Sequence, residues 1–344
     1  MRYYKIVIEN GPTFQSTLGD GGQNDSGALQ VELDIFEASL ALPSSSGMSY
    51  ARIWGVPIQM IAQASQFNYK NIDVTVGMSA GLPLADPSQQ GLVLHGSIYP
   101  AFGNWIGTEM TLDFVIIAPN HSSSIGPTPA TQNNPANIVH NWQPGQPLSQ
   151  AINSTLTTAF PSYTPQIDIS PKLVLPYADV GFYRTFASYA GYIAQISRSI
   201  MGDPITGAQN YHGVQMGVVG KQIRVFDQTG SNPKTVTIAF KDLVGQPTWL
   251  GLFTIQVKTV MRGDIHVGDT LKLPQTLTVA AATTGSQFRS NSVFQGTAWV
   301  STIRHVGNSR QPSGEAWVSI FDCIVGNNAP SGATPVGQGG IGQL

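Results

Sequence analysis

Charge is what this chain has least of. Among 344 residues, 17 are lysine or arginine and 19 are aspartate or glutamate, together 10% of the chain, where soluble domains carry about 25%. Neither half contains a Lys/Arg run, which gives little support to groove-type binding of nucleic acid. Cysteine is nearly absent too. Cys323 stands alone in the apolar run SIFDCIV, so an intramolecular disulfide and a cysteine-built metal site are excluded, and a buried core thiol is expected. The six histidines (His95, His121, His140, His212, His266 and His305) show no ligand spacing of the H-x-x-x-H kind. No apolar run approaches the ~20 residues of a membrane span, and MRYYKIVIENG lacks the apolar stretch of a secretory signal. The expectation is a product made in the cytoplasm, without direct membrane insertion. The sequons at Asn24, Asn120 and Asn153 then carry no weight.

What remains is a chain with 41% hydrophobic residues, 37 glycines and 23 prolines. That is enough apolar material for two or three domains at roughly 150 residues each. A surface of Ser, Thr, Asn, Gln and Gly with few charges suits a permanent assembly, since desolvating ionic groups at an interface core is costly. Charge is also unevenly placed: residues 1–120 hold 10 acids and 4 bases, and residues 121–344 hold 9 acids and 13 bases.

The chain reads as if it ended twice in the same way. Gly91–Ala118 and Gly296–Val325 each contain a glycine, an alternating strand running into isoleucine, a Gly/Asn turn and a second strand ending in Phe plus aliphatics. Alternation over such runs is what a half-buried strand requires. Further strands are expected over Tyr3–Ile8, Leu29–Ala38, Tyr50–Trp54 and Ile72–Met78, with Ile58, Ile61 and Ala62 at helical spacing behind Pro57. Residues 120–137 read as a linker. Beyond them, Leu148, Ile152 and Leu156 fall on one helical face. Phe182, Phe186, Tyr189, Ile193, Ile196 and Ile200 predict a longer helix, and GVQMGVVGKQIRVFD reads as two strands hinged at Gly220. From Lys234 strands return, over TVTIAF, LFTIQVKTV and DTLKLP. The expected organisation is a β-domain over 1–120, a linker over 121–137, an α+β insert over 138–230, a second β-domain over 234–326 and a flexible Gly/Pro-rich tail over 327–344.

Motifs that could carry chemistry lack their context. Gly77-Met78-Ser79-Ala80-Gly81 matches the G-x-S-x-G nucleophile elbow, but Pro83 and Pro87 deny it the helix that builds the oxyanion site. Asp86 and His95 follow too closely to resemble the triad spacing. Gly337–Gly342 matches G-x-G-x-x-G without a preceding strand. Arg262-Gly263-Asp264 matches an adhesion tripeptide but reads as a turn between strands. Glu32, Asp34 and Glu37 lie on one strand, with Glu32 and Asp34 sharing a face as general acid/base chemistry could use; a solvated strand face is the plainer reading. No catalytic, cofactor-binding or metal-ligating residue is expected, and no enzyme.

Two stretches carry a family likeness. IWGVPIQMIAQASQFNYKNIDVTVGMSAGLPLADPSQQGLVLHGSIYPAF resembles the first domain of phage baseplate (tail) hub proteins: a Trp-Gly strand, a short helix, a strand ending Gly-Met, a Gly-Leu-Pro-Leu loop and a Gly-x-Ile strand. FKDLVGQPTWLGLFTIQVKTVMRGDIHVGDTLKLP resembles their last domain, with Gly-Gln-Pro and the turn Asp-Ile-x-Val-Gly-Asp-x-x-x-Leu-Pro. The resemblance covers most of residues 29–325. It implies a mainly β fold of two tail-tube-like β-barrel domains flanking a small α+β middle domain. It also implies a homotrimer that joins a sixfold tail tube to a threefold central spike in the baseplate of a contractile tail. Tube, spike and other baseplate proteins would then be partners, with DNA only passing through the lumen, and the virion tail would be the location. No lysozyme-like segment is present, and the tail after 326 matches no family pattern. Two alternatives stand beside the hub: another tail component such as a tube or distal-tail adaptor, and a glycan-binding module in which Trp54, Trp105 or Trp142 stacks on sugars.

Overall fold

The computed structural model describes residues 1–19, 22–39, 48–79, 86–117, 138–161, 163–201, 211, 213–227, 234–251, 254–274 and 296–324. The expected linker over 121–137, the tail over 327–344, the Gly337–Gly342 match, His121 and His212 lie outside these residues.

In the first part, strands β1 (Arg2–Ile8), β2 (Thr13–Gln15), β3 (Gln30–Ala38), β4 (Ser49–Trp54), β5 (Asn71–Met78), β6 (Gly91–Ile106) and β7 (Glu109–Ile117) follow the alternation closely. On β3, Val31, Leu33 and Ile35 are buried while Glu32 and Asp34 face out. Each fully buried aliphatic contributes about 1.5–3 kcal/mol, so slipping the register by one residue would turn this face to water. All seven strands pair antiparallel in the order β3-β4-β7-β6-β5-β1-β2. The helix behind Pro57 forms as α1 (Ile58–Ala62), but the face expected to be buried is only partly so: Ile61 packs against the core while Ile58 is exposed, and no residue of α1 is fully buried. Five residues make little more than one turn, and the burial falls instead on Ala64 and Phe67 in the 3₁₀ turn that follows.

The middle part holds β8 (Ile138–Trp142), α2 (Leu148–Ala159), β9 (Thr164–Asp168), β10 (Asp179–Tyr183), α3 (Phe186–Met201), β11 (Gln215–Val219) and β12 (Gln222–Phe226). Leu148, Ile152 and Leu156 of α2 meet Phe186, Tyr189 and Ile193 of α3 in one apolar core. The longer helix starts later than its apolar spacing predicts. Phe182 lies on β10 and is exposed, because Thr185 caps α3: its Oγ1 accepts from the Ser188 N–H at 3.1 Å, and its own N–H donates to Ser188 Oγ at 3.3 Å. β11 and β12 form the expected hairpin at Gly220, and β12 adds a parallel partner, β9, which the sequence reading did not assign.

The last part contains β13 (Thr235–Thr237), β14 (Thr248–Gly251), β15 (Thr254–Val260), β16 (Thr270–Leu273), β17 (Gly296–Asn308) and β18 (Trp317–Ile324). Its core is built by Ile255, Val257, Ile303, Phe321 and Cys323, whose thiol is buried as expected and pushed up in pKa by desolvation. β17 is the hinge of the architecture. Its opening residues Gly296–Trp299 pair with β16, and Thr302–Asn308 pair with β3, 270 or so positions away in the chain, while β18 runs along the other edge. A bulge between Val300 and Thr302 marks the change of partner, and a bulge bends a strand enough to do this. β6 carries a comparable irregularity in its own hairpin ladder, between Ile98 and Ala101, with β5 along one edge and β7 along the other. The first and last parts thus share one 13-stranded sheet.

Candidate functional site

The residues singled out for chemistry are not brought together. Ser79 Oγ donates to Asn24 Oδ1 at 2.7 Å and to the Met1 carbonyl at 3.2 Å. Asp86 instead caps a 3₁₀ turn through the Ser88 N–H, and His95 pairs with Asp73. Arg262 of the adhesion-like triplet is buried, tied to Asp264 at 2.7 Å and to Asp242 at 3.3 Å. The next residue, Gly263, donates its N–H to the Gln89 carbonyl at 2.8 Å. A Cβ on Gly263 would stand 2.6 Å from the backbone of Gly91, so only glycine permits this approach of the first and last parts. Of the acidic strand residues, Asp34 holds Arg304 through two bonds of 2.8 and 2.6 Å across the β3–β17 ladder, and Glu37 is buried. Among the described residues no cluster of His, Cys, Asp or Glu could hold a metal ion, and no helix is long and apolar enough to cross a membrane.

What the structure does assemble is a junction of the three parts. Glu37 at the end of β3 accepts the Val267 N–H at 2.8 Å, with His266 Nδ1 at 3.4 Å. Asp269, fully buried, accepts the His266 N–H at 3.0 Å and Arg224 Nη1 of β12 at 2.8 Å, with Lys234 Nζ at 3.5 Å. Arg224 also donates to the Val267 carbonyl at 3.0 Å. Ser39 Oγ donates to Gln215 Oε1 at 2.6 Å alongside. A cavity of about 260 Å³ opens here, lined by Gln166, Arg224, Lys234, His266, Asp269 and Trp299 among others. The Asp264–Leu273 motif that carried the family likeness thereby acquires physical roles. Ile265 and Val267 enter the core, Gly268 takes a φ of +91° with the Phe226 ring packed over it, and Asp269 collects the donors. Because Asp269 is matched there by Arg224 and Lys234, with Asp168 and Asp227 also on the cavity wall, the junction ties the middle part to the last.

Two histidines lie deep in this frame. His305 on β17 is buried with Nδ1 2.8 Å from Ser319 Oγ, and desolvation with the nearby His266 drives its pKa down to about 3. His140 on β8 is likewise lowered by burial, between Thr155 and Tyr189. Of the tryptophans named for sugar stacking, Trp142 is fully buried, Trp54 packs beneath the Arg52 guanidinium and Trp105 is exposed. They form no common platform.

No protein-family model matches the sequence, and no curated protein matches it. Among solved structures, the fold is similar to the 43 kDa tail protein of prophage MuSo2 from Shewanella oneidensis. The TM-score is 0.50 at 7% identity, over 94% of this chain and 97% of that one. The tail protein from Neisseria meningitidis MC58 gives 0.48 at 8% identity, over 94% and 96%. A component of the E. coli type VI secretion system, itself structurally similar to two T4 bacteriophage tail proteins, gives 0.48 at 8% identity, over 90% and 76%. This is a likeness of fold. The chain is mainly β around one large sheet, in an architecture it shares along nearly its whole length with a phage tail protein.

Proposed function

We propose that this chain is a non-enzymatic structural component of a contractile phage-type tail, and within it the baseplate hub. Three copies form a ring that adapts a sixfold tube to a threefold central spike. The observation that carries this reading is the β3–β17 ladder. It joins two hairpin units of similar build, β6–β7 and β17–β18, each with a kinked long strand, into one sheet within a single chain. Two similar units per chain and six positions in a tube-like ring require three chains. The strands at the ends of the sheet path, β2 and β14, have one neighbour each among the described residues, and ring closure is a way to cover such edges. The low charge and the ion-paired junction fit a part that transmits position. The glycan-binding alternative loses its platform with Trp142 in the core. Mass measurement on the assembled complex, or image classification without imposed symmetry, tests the proposal. Three copies with approximate sixfold symmetry are expected; six copies would make the chain a tube or distal-tail adaptor, and a single copy would end the ring reading.

A further inference from the structure

Among the described residues, two apolar surfaces have no cover, on different parts of the molecule. The first is the tip of the β6–β7 hairpin, where Trp105, 64% exposed, stands on one face and Ile106, 76% exposed, stands with Phe102 on the other. The second is the outer face of the two-stranded β8–β10 sheet. Its inner face sends Ile138, His140 and Trp142 into the core, whereas the outer face presents Val180, 68% exposed, and Phe182, 55% exposed, with Val139 directly opposite Phe182. A two-stranded sheet needs apolar cover to be stable, and here one side has it and the other has none. The charges at the two surfaces are opposite. Over residues 102–110 the one ionisable group is Glu109, paired in register with Ile106. Arg184 follows directly on the end of β10, two positions after Phe182. Both are exposed, and neither has an ion-pair partner among the described residues.

We infer that the occupant of each surface is a second copy of this chain: the β6–β7 tip of one protomer docks on the β8–β10 face of the next, with Glu109 beside Arg184 of the neighbour. The pairing of two different surfaces is the head-to-tail geometry that closes a ring, and the inference rests on the ring reading above. A membrane is the poorer occupant, because the tip carries no Lys or Arg to meet anionic headgroups.

The test uses the purified full chain and sedimentation velocity over a concentration series. Trp105→Ser with Ile106→Ser, and separately Val180→Ser with Phe182→Ser, should each weaken self-association about tenfold or more. Mixing these two variants should restore association only as far as dimers, since one intact tip and one intact face remain. Glu109→Arg and Arg184→Glu should each weaken association, and the double reversal should recover it; these exposed changes serve even where a serine variant folds poorly. Variants that assemble as the parent does would overturn this contact while leaving the ring reading to stand on particle symmetry. A parent that stays monomeric throughout would overturn the contact as well. Tip-dependent flotation with phosphatidylcholine/phosphatidylglycerol vesicles would reassign the tip to a membrane and overturn it too.

Discussion

Asp269 is the most informative residue to remove. Its carboxylate is fully buried and collects the His266 N–H, Arg224 and Lys234. Asp269→Ala leaves Arg224, whose side chain is 16% exposed, with the Val267 carbonyl as its hydrogen-bond partner and the Phe226 ring beneath it among the described residues. Lys234 is half exposed and swings into water at little cost. Breaking a buried pair by deleting one partner costs about 3–5 kcal/mol, because the surviving charge stays desolvated. With a urea dependence of about 2–3 kcal/mol per molar, the midpoint for this part of the molecule should fall by roughly 1–2 M. Trp299 lines the same cavity, so with the other five tryptophans replaced by Phe its fluorescence reports on the junction. Adding Arg224→Met to Asp269→Ala removes the stranded charge. The double variant should therefore lose at least about 1 kcal/mol less than the sum of the singles. A loss below about 1 kcal/mol for Asp269→Ala, or strict additivity in the cycle, would refute the view that this carboxylate holds the middle and last parts together.

Two further outcomes are expected. Ser79→Ala should leave esterase and peptidoglycan-hydrolysis assays indistinguishable from the parent, because Ser79 Oγ is engaged by Asn24 and Met1 with neither His95 nor Asp86 among its partners; a Ser79-dependent rate would contradict the structural reading. For His305, the folded pKa of about 3 lies below the ordinary value of 6.5, so between these values the unfolded chain binds the extra proton. The stability this residue contributes is present above pH 6.5 and is lost as pH falls toward 3. His305→Gln should flatten that part of the urea-midpoint profile between pH 7.5 and 4.5, and an unchanged slope would show that the imidazole is not held neutral.

Much of the β framework was legible because its strands are half buried. Val31, Leu33 and Ile35 alternate with Glu32 and Asp34, and Leu148, Ile152 and Leu156 repeat at helical spacing with a continuous core to face. The failures have local causes. Phe182 sits four positions before Phe186 and so mimics a helical repeat, and the Thr185/Ser188 cap that ends the ambiguity is a hydroxyl signal outside apolar periodicity. β9 begins Thr-Pro-Gln, a start that hides a strand, and α1 is too short for its apolar residues to define a buried side. The junction was legible only as a motif. That Asp269 would meet Arg224, and Glu37 meet Val267, depends on packing between parts that no local pattern encodes. The β3–β17 register is of the same kind, since two alternating strands do not declare which distant edge they will join.

That ladder also sets a schedule for synthesis. β3 is complete once Ala38 has been made, but its partner ends at Asn308. At translation rates of about 5–20 residues per second, the edge of β3 waits roughly 15–50 s for its neighbour. Throughout that interval a nine-residue strand with its inward face already packed offers free N–H and C=O groups to any passing chain. The outward Glu32 and Asp34, the latter matched in time by Arg304, put negative charge on that waiting strand, and neighbouring nascent copies with the same charge repel one another there. The carboxylates thus guard the edge before the chain's own arginine arrives to close it.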